Sequence, residues 1–168
     1  MDYRMYCLVL RQLSPIQKGI QAAHSVVEYG NKYGDTTEYI AWSTVSKTII
    51  MLDGGVLTDL EEIMPHLDER NIKYSVFREE DLGDIVTCIS ILVDERVFDD
   101  ETYPDFSTWR SRKYPTIPIY TSLTVFTDGH DAADYTWPAH HDEWIKTVVG
   151  NANTEYLREL LHSKRLAQ

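Results

Sequence analysis

The chain has 168 residues, 43% of them hydrophobic, and a formal net charge of −11, which is length enough for one ordinary domain with a sizeable core and room for an appendage. No apolar run approaches the roughly 20 residues needed to span a bilayer, and a spread-out acidity repels polyanions at long range, so any nucleic-acid partner requires a local patch. Cys7 and Cys88 each sit in an apolar run and read as free thiols of a reducing compartment rather than a disulfide framework; with no signal-peptide pattern at the start, a cytoplasmic location is expected.

In chain order, Tyr6-Cys7-Leu8-Val9-Leu10 is a continuous apolar run of strand length, as in a strand covered on both faces. Ser14 with Pro15 and Gln17 then forms a capping box that opens a helix. Ile16, Ile20, Ala23 and Val27 mark its apolar face, and Gly30 and Gly34 bracket its end. A polar connection containing Trp42 leads to a second strand over residues 47–52, closed by the turn residues Asp53-Gly54-Gly55. Thr58 and Glu61 cap a second helix with Leu60, Ile63, Met64 and Leu67 on one stripe and a kink at Pro65. Asn71 closes that helix, residues 73–77 read as a third strand, and residues 86–92 as a fourth after the loop 78–84.

The resulting order, β-α-β-α-β-β, predicts an α/β fold: a four-stranded mixed sheet with helices on both faces, its early strands parallel and the last one added antiparallel. This accounts for residues 1–93. Residues 94–168 read as a C-terminal extension packed on that domain, with an acidic loop from Val93 onward, an edge strand over 116–126 despite Pro118, and a terminal helix over 154–166.

Several constellations could carry chemistry. Gln17, Gln21, His24 and Glu28 share one helix face, with Lys18 beside it; at a helix start following a parallel strand they line a cleft or are simply a solvated face. The run Arg78-Glu79-Glu80-Asp81-Leu82-Gly83-Asp84 follows the third strand, where carboxylates orient a water or a lysine, and Thr87 opens the fourth. His130, Asp131, Asp134, His140, His141 and Asp142 lack diagnostic metal-ligand spacing, and a polar loop explains them better. Trp109-Arg110-Ser111-Arg112-Lys113-Tyr114 interleaves cations with aromatics, a pattern that serves phosphate contact or base stacking as well as a plain surface loop. No Gly-x-Ser-x-Gly elbow, Walker loop or dinucleotide fingerprint occurs.

The segment from Leu8-Val9-Leu10-Arg11 to Gln21-Ala22-Ala23-His24-Ser25 resembles the strand-to-helix segment of the archaeal/eukaryotic-type peptidyl-tRNA hydrolases. Over residues 5–93, Gln21 and His24 match the family's helix glutamine and histidine, Glu79 stands at its aspartate, Thr87 at the threonine of its last strand, and Lys47-Thr48-Ile49-Ile50 at its second strand. The loop after Arg11 is shorter than usual, Gln17 falls on the family's lysine with Lys18 adjacent, and Glu79-Glu80-Asp81-Leu82-Gly83 replaces Asp-Ala-Gly. The form Leu-Ser-Pro-Ile-Gln-Lys-Gly-Ile-Gln-Ala-Ala-His looks more like a divergent bacterial and bacteriophage subgroup.

The resemblance implies hydrolysis of the ester joining a peptidyl or N-blocked aminoacyl group to tRNA. Lys18 would meet phosphate or the developing oxyanion, Gln21 would position substrate, and Glu79 with Thr87 would orient the attacking water. Arg11, Gln17, His24 and Arg78 would bind substrate. The alternative is an inactive binding module of the same fold. Expected partners are tRNA or an aminoacyl-RNA ester, a protein recruited through the C-terminal extension, and a second copy in a homodimer; no cofactor, metal or membrane is expected.

Overall fold

The computed structural model describes residues 1–115 and 132–168, the side chains of 132–136 excepted. The expected strand over 116–126 therefore lies outside the described residues. In order, the elements are β1 (Tyr3–Leu10), α1 (Pro15–Tyr33), α2 (Thr37–Ala41), β2 (Ile49–Gly55), α3 (Leu57–Glu69), β3 (Tyr74–Glu79), β4 (Ile85–Asp94), α4 (Glu95–Phe98), α5 (Phe106–Lys113), α6 (Ala132–Trp144) and α7 (Ala152–His162). Two compact units result, one of Met1–Glu95 with Leu157–Gln168 and one of Arg96–Tyr156.

The first unit holds a four-stranded mixed sheet of order β2-β1-β4-β3. β1 and β2 pair in parallel, and β4 is antiparallel to both β1 and β3. The three helix-linked strands thus share one direction, and the antiparallel strand inserts between β1 and β3 rather than joining the sheet at an edge. The two central strands are buried along most of their length, which is why both read as near-continuous apolar runs.

Each face of the sheet carries a helix. Met5, Cys7, Val9 and Cys88 pack with Ala22 and Tyr29 of α1 and with Trp42. α3 packs on β4, β2 and β1 and buries Leu60, Ile63 and Leu67. Cys7 and Cys88 are free and buried, and burial pushes the Cys88 thiol well above its usual range.

Three expectations for this unit are corrected. First, α1 is turned over relative to its apolar stripe: its buried residues are Lys18, Gln21, Ala22, Ser25 and Tyr29, while Ile16 is 77% and Val27 59% exposed. The polar residues that face inward have partners there, as when Ser75 Oγ donates to the Ser25 carbonyl oxygen at 2.7 Å, so their burial leaves no orphaned groups. Second, the connection around Trp42 is helical, with α2 followed by a π-helical turn over Trp42–Ser46. Trp42 is buried and its Nε1 donates to Thr48 O at 2.9 Å. Third, α3 begins at Leu57 with Val56 as cap, and the Asp59 carboxylate accepts from Val56 N at 2.8 Å. It remains helical through Pro65.

In the second unit, the expected acidic loop is interrupted by helices. Asp105 caps α5 by accepting from Thr108 N at 2.9 Å, and Trp144 is buried with its Nε1 on Pro104 O at 3.0 Å. The terminal helix ends at His162, short of Leu166. Residues beyond it form an extended segment along β2 in the first unit: Asp53 N donates to Arg165 O at 2.8 Å, Ala167 N to Met51 O at 3.0 Å, and Leu52 and Leu166 form an antiparallel bridge.

Candidate functional site

The carboxyl ends of β1, β2 and β3, the start of β4 and the first turns of α1 converge on one edge of the sheet, where ligands bind in open α/β sheets. Both irregularities of the sheet fall at this edge. Val9 pairs with Asp53 and Leu10 with Gly55, leaving Gly54 as the extra residue of β2. Phe77 pairs with Cys88 and Arg78 with Val86, leaving Thr87 as the extra residue of β4. Such bulges re-aim side chains. Strict alternation would send Thr87 to the face opposite Cys88; instead its hydroxyl reaches Gln21 on α1.

That contact is part of a chain of three side chains. Gln21 Nε2 donates to Glu79 Oε2 at 2.6 Å. The Thr87 hydroxyl lies 3.2 Å from Gln21 Oε1 and 3.2 Å from Phe77 O, and its single proton can go to either. Gln21 and Thr87 are buried, whereas Glu79 is half-buried. Among the described residues only Gln21 bonds the Glu79 carboxylate, so Oε1 is left for a water or a substrate. A buried amide oriented at both ends cannot rotate without losing a bond. Gln21 therefore fixes where that carboxylate stands.

One turn earlier on α1, Lys18 is only 8% exposed and its Nζ donates to the main-chain oxygen of Gln168 at 2.8 Å. Lys18 lines a cleft of about 260 Å³ with Arg11, Asp53, Arg165, Leu166 and Gln168. Arg11 Nε meets Asp53 Oδ2 at 2.9 Å, and Asp53 Oδ1 also accepts from Gly55 N at 2.9 Å. Burial would raise the Asp53 carboxyl, but the Gly55 N–H and the Arg11 guanidinium, with Lys18 nearby, hold it below the ordinary range. It is a carboxylate at any physiological pH.

The remaining expected residues have local tasks. Gln17 completes the capping box, its Oε1 accepting from Ser14 N at 3.0 Å. His24 is exposed and stacks on Phe77, with ring centroids 4.5 Å apart and planes 12° from parallel. Arg78 Nη1 donates to Asp84 O at 3.1 Å, bracing the loop before β4. The structure thus brings Gln21, Glu79 and Thr87 into direct contact and puts Arg11 and Lys18 in the neighbouring cleft. Gln17, His24 and Arg78 stand outside both groups.

In the second unit, His140 Nδ1 accepts from Arg110 Nε at 3.4 Å and its ring stacks on Tyr114, while His141 Nε2 lies 2.6 Å from Glu155 Oε1. His130, Asp131 and the side chain of Asp134 lie outside the described residues, and among those described no group of three or more His, Cys, Asp or Glu is placed to hold a metal. The basic run is helix α5, not loop. Arg110 is buried in it, and Lys113 bonds Glu143 at 2.6 Å.

Reading the sequence missed Asp53, treated as a turn residue, and Lys164 with Arg165, placed inside a helix. Lys164-Arg165 was the available signal, an adjacent cation pair in an acidic chain following a helical stripe. Compared with known proteins, the sequence matches no family model and no curated protein.

Proposed function

We propose that this chain is a peptidyl-tRNA hydrolase-like esterase, cleaving the ester between a peptidyl or N-blocked aminoacyl group and the 3′ end of tRNA. The observation that carries the reading is the Glu79–Gln21–Thr87 chain, whose middle member holds a half-buried carboxylate at 2.6 Å. With Oε1 open, Glu79 accepts a proton from water as that water attacks the ester carbonyl; the acyl–oxygen bond breaks and the ribose oxygen leaves with a proton. Lys18, one turn before Gln21 on α1, and Arg11 in the same cleft supply positive charge, suited to a terminal phosphate or the tetrahedral oxyanion. The basic cleft answers the difficulty of net charge −11, since RNA binding needs only a local patch.

A second reading, an inactive binding module of the same fold, is favoured by one contact. The Lys18 ammonium is already held by Gln168 O, and catalysis through Lys18 requires that contact to yield. The test is ester cleavage with N-acetyl-aminoacyl-tRNA and free aminoacyl-tRNA, using wild type, Lys18→Ala and Glu79→Ala. The esterase reading expects turnover of the blocked substrate and a loss of about 10²-fold or more in Glu79→Ala. Absence of wild-type turnover overturns it and leaves the binding module.

A further inference from the structure

The segment after α7 brings two cations to the edge of the cleft. The cleft shares Arg11, Asp53 and Arg165 with a larger one of about 500 Å³, to which Gly55, Asp59, Ser163 and Lys164 contribute. The backbone there is fixed by the pairing of Arg165 O and Ala167 N with β2. The carboxylates in this space are already used: Asp53 by Arg11 and Gly55 N, and Asp59 by Val56 N. Among the described residues, no side-chain hydrogen bond or ion pair engages Lys164 or Arg165. With Arg11 and Lys18 the two clefts hold four cations against the side-chain carboxylates of Asp53 and Asp59 and the Gln168 main-chain oxygen that takes Lys18, so Lys164 and Arg165 are the two left without counter-charge, in a chain whose charge has the opposite sign overall. Cations left without counter-charge beside a preformed concavity make an anion site.

We propose that Lys164 and Arg165 bind phosphodiester groups of an RNA strand whose 3′ end lies toward Lys18, so that the C-terminal segment is a positioning element for substrate. The proposal rests on the esterase reading for its ligand, but its residues lie outside the span of the family resemblance. Lys164, in the bend after α7, and Arg165 both line the larger cleft, so the two cations can meet neighbouring phosphates, which carry one charge each. Arg165 is exposed and Lys164 half-buried, and Arg165 pairs with β2 through its main chain, so both side chains can be changed without touching that pairing.

The test titrates the full chain into a short, labelled single-stranded RNA at several salt concentrations. Wild type is compared with K164Q/R165Q and with the charge-matched control K73Q/K146Q, two exposed lysines outside every candidate site, all checked for folding by circular dichroism. The proposal expects at least tenfold weaker binding for K164Q/R165Q and a salt slope smaller by about 1.4, or about 0.7 for each lost phosphate contact on a single strand. The control should match wild type. No RNA binding by wild type, an unchanged slope in K164Q/R165Q, or equal losses in the control overturns it. Inorganic phosphate, titrated in parallel, separates sources: phosphate binding that depends on Lys164 and Arg165 without RNA binding means a small phosphate compound and also overturns the RNA assignment.

Ester cleavage measured beside binding keeps the two proposals apart. KM raised in K164Q/R165Q with kcat unchanged supports this one. Cleavage by wild type with RNA binding unaffected by the double substitution rejects the positioning role and leaves the esterase. Variant-sensitive RNA binding without any cleavage does the reverse.

Discussion

The Gln21 amide and the Glu79 carboxylate meet at 2.6 Å across the gap between α1 and the end of β3, with Thr87 closing the other side of the amide. Replacing Gln21 with Leu removes a buried donor and leaves a half-buried carboxylate without its partner, which costs about 1–3 kcal/mol. Urea denaturation measures this. Gln21→Glu sets two carboxylates in contact, so one of them should titrate well above the ordinary range near 4.3. Carbon-13 NMR of the side-chain carboxyls reads that shift, and two ordinary titrations would show that the pair is not in contact in solution.

Asp53 supplies a pH dependence. Its folded-state titration is displaced downward by Gly55 N–H and Arg11 despite the opposing effect of burial. The stability it contributes is present above the unfolded value near 3.9 and is lost as pH falls through the lower folded value. Arg11→Gln should move the Asp53 midpoint upward in an NMR titration. Because Arg11 is largely exposed, global stability at pH 7 should change by less than about 1 kcal/mol.

Gly54 is a packing constraint. A Cβ there would stand 2.6 Å from Leu60 Cδ2 and 3.0 Å from Val9 O, the second of which is backbone and cannot swing away. Gly54→Ala should destabilise the fold by about 1–3 kcal/mol, seen as a lower urea midpoint at constant slope. A neutral result would mean that the bulge relaxes freely.

The orientation of α1 is tested by its two faces. Ile16→Gln and Val27→Gln, on the outer side, should each change stability by less than about 0.5 kcal/mol. Ser14→Ala removes the cap and should cost about 1 kcal/mol. If the outer substitutions prove as damaging as loss of core residues, α1 is packed the other way.

These faces also show how far the sequence could be read. Strands β1 and β4 were legible because central burial leaves continuous apolar runs, and α1 was legible at its start because Ser14, Pro15 and Gln17 state the cap in residue types alone. Its orientation was not. Periodicity assigns the buried side to Ile16, Ile20 and Val27, yet Lys18, Gln21 and Ser25 go inward because each meets a partner from a distant part of the chain, which no local window contains. Departures of this kind concentrate at functional sites. Gly54 was misjudged for a similar reason: Asp53-Gly54-Gly55 has turn chemistry, but here the glycine accommodates Leu60 inside a strand. The family resemblance singled out Gln21, Glu79 and Thr87 as expected site residues; in the structure Gln21 bonds each of the other two. It had no means of finding Lys164 and Arg165.

The Lys18–Gln168 contact joins positions 150 residues apart, and its consequence is one of assembly order. Among the described residues all four strands lie within Tyr3–Asp94, so that sheet can close while the rest of the chain is still emerging from the ribosome. The segment along β2 docks only after residues 96–156 have been made and the long loop they form has been closed. The edge of β2 therefore stays open until residues 163–168 have been made, and the cleft beside Lys18 gains that wall only then. Changing the length of the intervening unit should alter how fast that wall arrives while leaving the sheet's own folding rate untouched.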